Sequence, residues 1–281
     1  MTFIVILIAL LIERFFDWSH LRRWHWLAAF QRTVLQRMKT VSPYVTLALT
    51  IVPLLIVVFL IDAIVQNWLY GFVKLLFNLV ILLYCFGPQN FWANAFAALN
   101  ALTQGDAQLA ADKLKLTFGI VNVGSTQSMH RQLLENLFIQ AHRRVFAVVF
   151  WYFILGVVGA VVYRAIALSS TEASEQDVIP ALSQPARWVE TVLDWIPVRV
   201  FTFIFALGGH FVQVFTCWRK EALLGLQQNE TMLVDCGIAA LDNEMQGTLP
   251  EDGSAEKSAM GLLDRSFVIV LVIVAIFVLI L

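Results

Sequence analysis

The sequence predicts an all-α fold, a polytopic helical membrane protein with about six apolar spans (four to six) and amphipathic cytoplasmic helices between them. Apolar residues make up 59% of the chain and charged residues 14%, against about 45–50% and about 25% in soluble proteins. Several apolar runs approach the ~20 residues that a helix needs to cross a bilayer. Between these runs, apolar side chains recur three or four residues apart, which favours helices over strands.

The clearest span covers residues 44–65, where Ser42 is the expected N-cap and Pro43 the expected first helical residue. Residues 196–217 are less uniform, because Pro197, Arg199 and His210 interrupt the apolar run. This segment therefore either crosses the membrane or enters it and returns. The predicted spans are residues 1–16, 44–65, 68–86, 145–168, 196–217 and 266–281.

Basic residues indicate which segments face the cytoplasm, because short loops on that side are enriched in Lys and Arg. Residues 17–43 and 87–144 each hold five basic residues, whereas residues 169–195 hold Arg187 alone beside five acidic residues. We expect the first two segments to be cytoplasmic and the third to be periplasmic. Basic residues return in 218–265, so a six-span topology places both chain ends outside.

These predictions divide the chain into five regions. The membrane regions alternate with helical segments that we expect in the cytoplasm, and the second cytoplasmic segment ends in a linker rich in Gly, Pro and acidic residues. The regions are the N-terminal membrane region 1–86, the cytoplasmic helical segment 87–144, the membrane region 145–217, the cytoplasmic helix and linker 218–265, and the C-terminal membrane helix 266–281.

Short catalytic motifs are absent from the sequence: there is no P-loop, no dinucleotide-binding glycine pattern after a strand and no His-Glu-x-x-His zinc pair. With a net charge of −1, the chain has no excess of positive charge that would attract nucleic acid. Cys85, Cys217 and Cys236 have no paired spacing, and we interpret them as buried free thiols. We therefore expect no catalytic residue, no cofactor, no metal site and no nucleic-acid partner, and we favour a role other than that of an enzyme.

Charged and polar residues at membrane depth are the candidate ligand-binding residues, because such groups are costly in lipid and usually face a bundle interior, a partner or a polar cavity. Snorkelling of the side chain to the surface is the alternative for Glu13, Arg14 and Arg164. Asp194, read as a helix N-cap, can form a structural ion pair with Arg199 or hold a ligand with it. His210 is alternatively an interior histidine with its own partner. The candidates are Glu13, Arg14, Arg164, Asp194, Arg199 and His210.

The segment Leu193-Asp194-Trp195-Ile196-Pro197-Val198-Arg199 resembles a signature of the AmpE and CobD/CbiB families of bacterial inner-membrane proteins. Other stretches match the AmpE pattern in the same order, so the resemblance covers nearly the whole chain. They are Glu13-Arg14 after the apolar start, Phe150-Trp151 followed by Gly156, Gly159 and Tyr163-Arg164, and the apolar C-terminus.

The resemblance implies different functions for its two branches. The CobD/CbiB branch is known for ATP-dependent amide formation on cobyric acid, with a Glu-Asn-x-x-Asp cluster before the Phe-Trp pair. Here the corresponding positions are Ile139, Gln140 and Arg143, and the later Asn-x-x-Asp falls on 167–170 without a carboxylate. These departures favour the AmpE branch, which is associated with β-lactamase induction and encoded beside an amidase of muropeptide recycling.

The resemblance therefore implies a multi-pass protein of the bacterial cell inner membrane that acts as a signalling or sensory modulator. Its expected partners are membrane lipids, a small polar or nucleotide or muropeptide ligand, and a cytoplasmic signalling protein. Two alternatives remain open: a membrane enzyme like the cobinamide ligase, and a transporter or handler of lipid-linked substrates. Transporters usually show internal repeats, and this sequence shows none.

Overall fold

Helices account for the regular structure of the residues that the structure describes. The computed structural model describes residues 1–15, 24–38, 41–65, 71–87, 90–118, 124–170, 179–223, 225–241, 250 and 252–280, and these residues contain helices and no strand. The α-helices of this part of the chain are α1 (Thr2–Phe15), α2 (His25–Arg37), α3 (Pro43–Val65), α4 (Phe72–Cys85), α5 (Phe91–Thr103), α6 (Ala107–Phe118), α7 (Thr126–Ala141), α8 (Ala147–Ser170), α9 (Pro180–Gly208), α10 (Phe211–Glu221), α11 (Asn229–Ala239) and α12 (Ser254–Ile280).

Four helical stretches among the described residues are long and apolar enough to cross a membrane. One of them runs from α7 through a π-helical turn (His142–Phe146) into α8. The predicted all-α, multi-pass membrane class is confirmed. The four stretches are Pro43–Val65, Thr126–Ser170, Pro180–Gly208 and Ser254–Ile280, and the shorter apolar helix is Phe72–Cys85.

The outward faces of α3 and α12 are apolar, as lipid requires. In α3, Ile56 is 52% exposed and Phe59 is 61% exposed, and α12 ends in a similarly exposed apolar stretch. A soluble protein rarely leaves contiguous apolar patches of this size uncovered. These faces are therefore suited to hydrocarbon rather than water.

Local sequence signals explain where α3 begins. The Oγ atom of Ser42 accepts a hydrogen bond from the backbone N–H of Val45 at 3.4 Å, and Pro43 is the first residue of the helix. A proline at this position loses no helical hydrogen bond, because the first N–H groups have no partner within the helix. The predicted cap and first residue are confirmed.

Later helices differ from the expected bounds. The helix α9 begins at Pro180, so Asp194 lies within it and is not the N-cap that we expected. Its buried side chains follow one another at a four-residue spacing, which is typical of a helix packed along one stripe. These side chains are Leu182, Ala186, Glu190, Asp194 and Val198.

The predicted segment 196–217 is two helices rather than one, because α9 ends at Gly208 and α10 starts at Phe211. Likewise α12 starts at Ser254, before the apolar run at 266 and inside the expected linker. Its first turns carry good helix formers and bury Ala255, Ala259 and Leu262. An apolar run thus marks the part of a helix suited to lipid and leaves the helix ends undefined.

The chain folds into two compact units, of which the first comprises Met1–Asn90 and Ala147–Leu193. Within it, α8 packs against α3 and α4, and α1 packs against α4. Gly156 interrupts α8 with φ 66° and ψ −153°. This conformation is essentially restricted to glycine, so the helix changes direction at Gly156.

The second unit comprises Phe91–Phe146 and Asp194–Leu281. Within it, α7 is the central helix and packs against α5, α6, α11 and α12. The helices α10 and α11 pack against each other as a hairpin. Within the predicted helical segment 87–144, the residues that the structure describes form helices and no strand, as expected.

Parts of the orientation argument fall on residues outside those that the structure describes. These are the basic residues Arg22, Arg23 and Lys39, the acidic residues Glu172, Glu175 and Asp177, and linker positions 247–249 and 251. The side of the membrane on which each segment lies stays a prediction.

Candidate functional site

The Asp194-to-Arg199 motif lies inside α9 rather than at its start. Residues five apart on a helix point about 140° away from each other, so the two charged side chains leave the helix in different directions. Pro197 removes one internal hydrogen bond from the helix, which tertiary packing offsets. The motif therefore presents two separate groups within the second unit.

Asp194 meets a histidine that the sequence did not single out. The Nε2 atom of His142 lies 3.1 Å from Oδ1 of Asp194, and both side chains are buried. The ring centroids of Phe146 and Phe201 lie 5.9 Å and 6.0 Å from the centroid of the imidazole ring. His142 begins the π-helical turn, a distortion that is rare and frequent at functional sites.

The other ring nitrogen of His142 is Nδ1. Its Nδ1 atom is buried and has no hydrogen-bond partner among the described residues. When an ionised Asp194 accepts the Nε2–H of a neutral imidazole, Nδ1 retains a lone pair that can accept a hydrogen bond. In that state the pair can hold a hydrogen-bond donor in an apolar setting.

Arg199 links α9 to the hairpin of α10 and α11 through hydrogen bonds. Its Nε donates to the carbonyl of Ala222 at 2.7 Å, and its Nη1 donates to Oδ1 of Asn229 at 3.1 Å. The guanidinium also lies 4.2 Å from the ring centroid of Trp195. Ala222 caps α10 and Asn229 begins α11, so Arg199 satisfies a helix-end carbonyl and braces the connection between these helices.

A second polar group surrounds Arg164 in the first unit. Arg164 is buried in α8, and its Nε has no hydrogen-bond partner among the described residues. The carboxylates of Glu13 and Glu190 interact with it electrostatically, and both side chains are buried. The structure therefore places Arg164 in the interior, where it does not snorkel.

Gly87 makes room for this arginine. A Cβ atom at Gly87 would lie 2.1 Å from Nη2 of Arg164, and Gly87 has φ +100°. No other residue fits both the conformation and the space. Close by in the same unit, Ser170 donates a hydrogen bond to Glu190, and Asn90 donates to the Glu13 carbonyl at 3.3 Å.

Two further candidates differ in their exposure. Arg14 is half-buried in the last turn of α1. His210 is exposed between α9 and α10, with its backbone N–H 3.4 Å from the Ala240 carbonyl. The expectation of an interior histidine at 210 was wrong, because α9 ends before it.

Sequence reasoning missed four buried polar residues. Glu190 falls among the acidic residues of the expected periplasmic loop, although its position four residues before Asp194 is a signal that both share a helix face. His142 carries no such signal. His130 and Glu256 form a buried pair at 2.7 Å across 126 positions of sequence, with His130 Nε2 and Glu256 Oε2 unpartnered among the described residues.

Comparison with known proteins assigns the family. The model of a family described as "Regulatory signalling modulator protein AmpE" matches residues 1–280. The chain is 29% identical over 227 residues to Protein AmpE of Shigella flexneri, with 78% of each chain covered. No solved structure matches it.

Two further relatives are cobalamin biosynthesis proteins. The chain is 27% identical over 175 residues to CobD of Chromobacterium violaceum and 25% identical over 172 residues to CobD of Stutzerimonas stutzeri. These matches cover 60% and 58% of this chain and 55% of each relative, so the chain spans about half the length of these two proteins. Because the AmpE model matches along 1–280, the chain belongs to the AmpE family.

Proposed function

We propose that this protein is a signalling modulator of the bacterial inner membrane that regulates β-lactamase induction in response to cell-wall muropeptides. The observation that carries the proposal is the match over residues 1–280 to a family described as a regulatory signalling modulator. The 78% coverage of the Shigella flexneri AmpE protein supports it. The described helices of the segments predicted to be cytoplasmic, 87–144 and 218–265, would offer surfaces for a signalling partner.

The buried ionic groups support a ligand-responsive role. Arg164, Glu13 and Glu190 are buried among apolar helices, where each charge is costly unless it serves a partner or a ligand. Arg164 Nε offers a buried donor without a described partner. A ligand that carries carboxylate, phosphate or carbonyl oxygens, as muropeptides do, supplies the acceptor that this nitrogen lacks.

The test is complementation of a deletion strain of the host bacterium. Strains carrying the wild-type chain, Arg164→Gln or Arg131→Gln are challenged with a sub-inhibitory β-lactam, and β-lactamase activity is measured at equal amounts of membrane-inserted protein. Arg131 is the matched control, because its side chain is 69% exposed and pairs with Glu135 on the surface of α7.

We expect the deletion to change the induction ratio, Arg131→Gln to restore the wild-type value and Arg164→Gln to leave the deletion value. Equal induction in the deletion and wild-type strains would reject the regulatory role. Full restoration by Arg164→Gln would reject the ligand role of the buried arginine and leave the family assignment intact.

A cobinamide-ligase-like enzyme is the second candidate, and the identity to two CobD proteins favours it. The positions where that enzyme branch has acidic residues argue against a ligase. Gln140 accepts a hydrogen bond from Arg144 at 2.8 Å, and Arg143 lies 3.4 Å from Glu230, so an amide and a paired guanidinium occupy these positions. The test is expression of this chain in a strain that lacks the ligase. If the chain restores growth that depends on cobalamin synthesis, the enzyme is the correct function.

A further inference from the structure

Two cysteines and a glutamate meet on the hairpin of α10 and α11. The Sγ atoms of Cys217 and Cys236 lie 2.8 Å apart, although 19 positions of sequence separate the two residues. One ligand atom each from Cys217, Glu221 and Cys236 lies within 4.8 Å of the others. Sequence spacing gave no sign of this group, because Cys236 belongs to a different helix from Cys217 and Glu221.

The local structure holds these donors in place. Cys217 and Glu221 are four residues apart on α10 and therefore share one face of that helix. Cys236 is fully buried on α11, which also packs against α7. Arg199 binds the end of α10 and the start of α11, so the hairpin that carries the donors is braced outside the group itself.

The donor set matches a thiophilic cation. Thiolates select zinc-class ions over hard cations such as Mg²⁺ and Ca²⁺, and a carboxylate is a common additional ligand. Two Zn–S bonds of about 2.3 Å at a tetrahedral angle separate the sulfurs by about 3.8 Å. The observed separation of 2.8 Å therefore has to widen by roughly 1 Å, which rotation of the half-buried Cys217 side chain provides.

We propose that Cys217, Glu221 and Cys236 form a binding site for a divalent cation of the zinc class. The ion cross-links α10 to α11, and a solvent molecule or the exposed Asp235 completes four ligands. This site is independent of the regulatory role proposed above. It stabilises the α10–α11 hairpin whatever signal the protein carries.

The experiment measures metal binding by the full chain, purified in detergent, fully reduced and stripped of metal. Co²⁺ is titrated first, because thiolate ligation gives a charge-transfer band and tetrahedral geometry gives intense visible bands; Zn²⁺ is then added in competition. The variants are Cys217→Ser, Cys236→Ser and Glu221→Gln. Cys85→Ser is the matched control, because Cys85 is a buried cysteine outside the hairpin.

We expect one Co²⁺ per chain with both spectral features, displacement by Zn²⁺, and wild-type affinity in Cys85→Ser. Loss of a ligand should weaken binding by about tenfold or more in the other variants. Glu221 is half-buried, so Glu221→Gln tests the site even where a cysteine variant fails to fold. Unchanged affinity in all three variants would overturn the proposal, as would a reduced wild-type protein that binds no Co²⁺ or Zn²⁺.

Discussion

His142 and Asp194 are joined side chain to side chain, with Nε2 and Oδ1 3.1 Å apart. This contact links the first residue of the Asp-Trp-Ile-Pro-Val-Arg motif to the π-helical turn that begins at His142. A π-helical turn admits one extra residue and re-aims the side chains around it. The position of the Asp194 side chain therefore depends on His142, which lies outside the motif.

Asp194→Ala should destabilise the protein by about 1.5–3 kcal/mol, because it leaves a buried imidazole without its charged partner. Asp194→Asn should cost less, since the amide oxygen still accepts from Nε2–H. Thermal unfolding in detergent, with Glu135→Gln as a control at a surface ion pair, measures the difference. Equal melting temperatures for Asp194→Ala and the control would show that the His142 contact is not made.

Gly87→Ala should displace Arg164, because the new methyl group would lie 2.1 Å from Nη2. Gly105→Ala is the matched control: Gly105 also has positive φ, at +77°, but nothing lies within 4 Å of its Cβ position. The control measures backbone strain alone, of order 1 kcal/mol. We expect a clearly larger loss of thermal stability at Gly87, and equal losses at the two glycines would contradict the described position of Arg164.

Arg199→Lys should loosen the α10–α11 hairpin, because an ammonium group cannot reproduce the separate hydrogen bonds to Ala222 and Asn229. A double-mutant cycle with Asn229→Ala isolates the side-chain contact. We expect a coupling of about 0.5–3 kcal/mol between the two changes. Strictly additive effects on the melting temperature would mean that Arg199 stabilises the protein without its bond to Asn229.

Glu256→Ala should destabilise the second unit, because His130 and Glu256 are both 1% exposed and join α7 to α12 at 2.7 Å. Removing one member of a buried hydrogen-bonded pair costs about 1.5–3 kcal/mol when the partner is charged. Limited proteolysis and thermal unfolding check the result. A variant as resistant as one changed at the exposed Lys257 would contradict the buried contact.

Features set by neighbouring residues were predictable from the sequence. The start of α3 follows from Ser42 and Pro43, whose capping and steric effects act within one turn. The apolar runs predicted the membrane class, because a helix that crosses lipid needs a minimum number of consecutive apolar residues, and such runs are visible in the sequence. Arg164 and Arg199 stood out for the same reason, as charges in apolar surroundings.

Features set by distant partners were not predictable. His142 and Asp194 are 52 positions apart, and His130 and Glu256 are 126 apart, so no local pattern records either pair. The start of α9 was missed because Asp194 and Pro197 are good N-terminal signals that tertiary packing overrides here. Residues 180–193 contribute a buried stripe to that helix, which extends it beyond the local signal.

The most direct test of a lipid-embedded bundle that shelters buried ions is the accessibility of a spin label on α3. A label at Phe59, which is 61% exposed on that helix, is compared in liposomes with a label at Gln104, which is exposed beside the α5–α6 turn. At Phe59 we expect strong relaxation by oxygen, which dissolves in lipid, and weak relaxation by a water-soluble nickel chelate, with the reverse at Gln104. Strong relaxation of the Phe59 label by the nickel chelate would place α3 in water and contradict the membrane architecture.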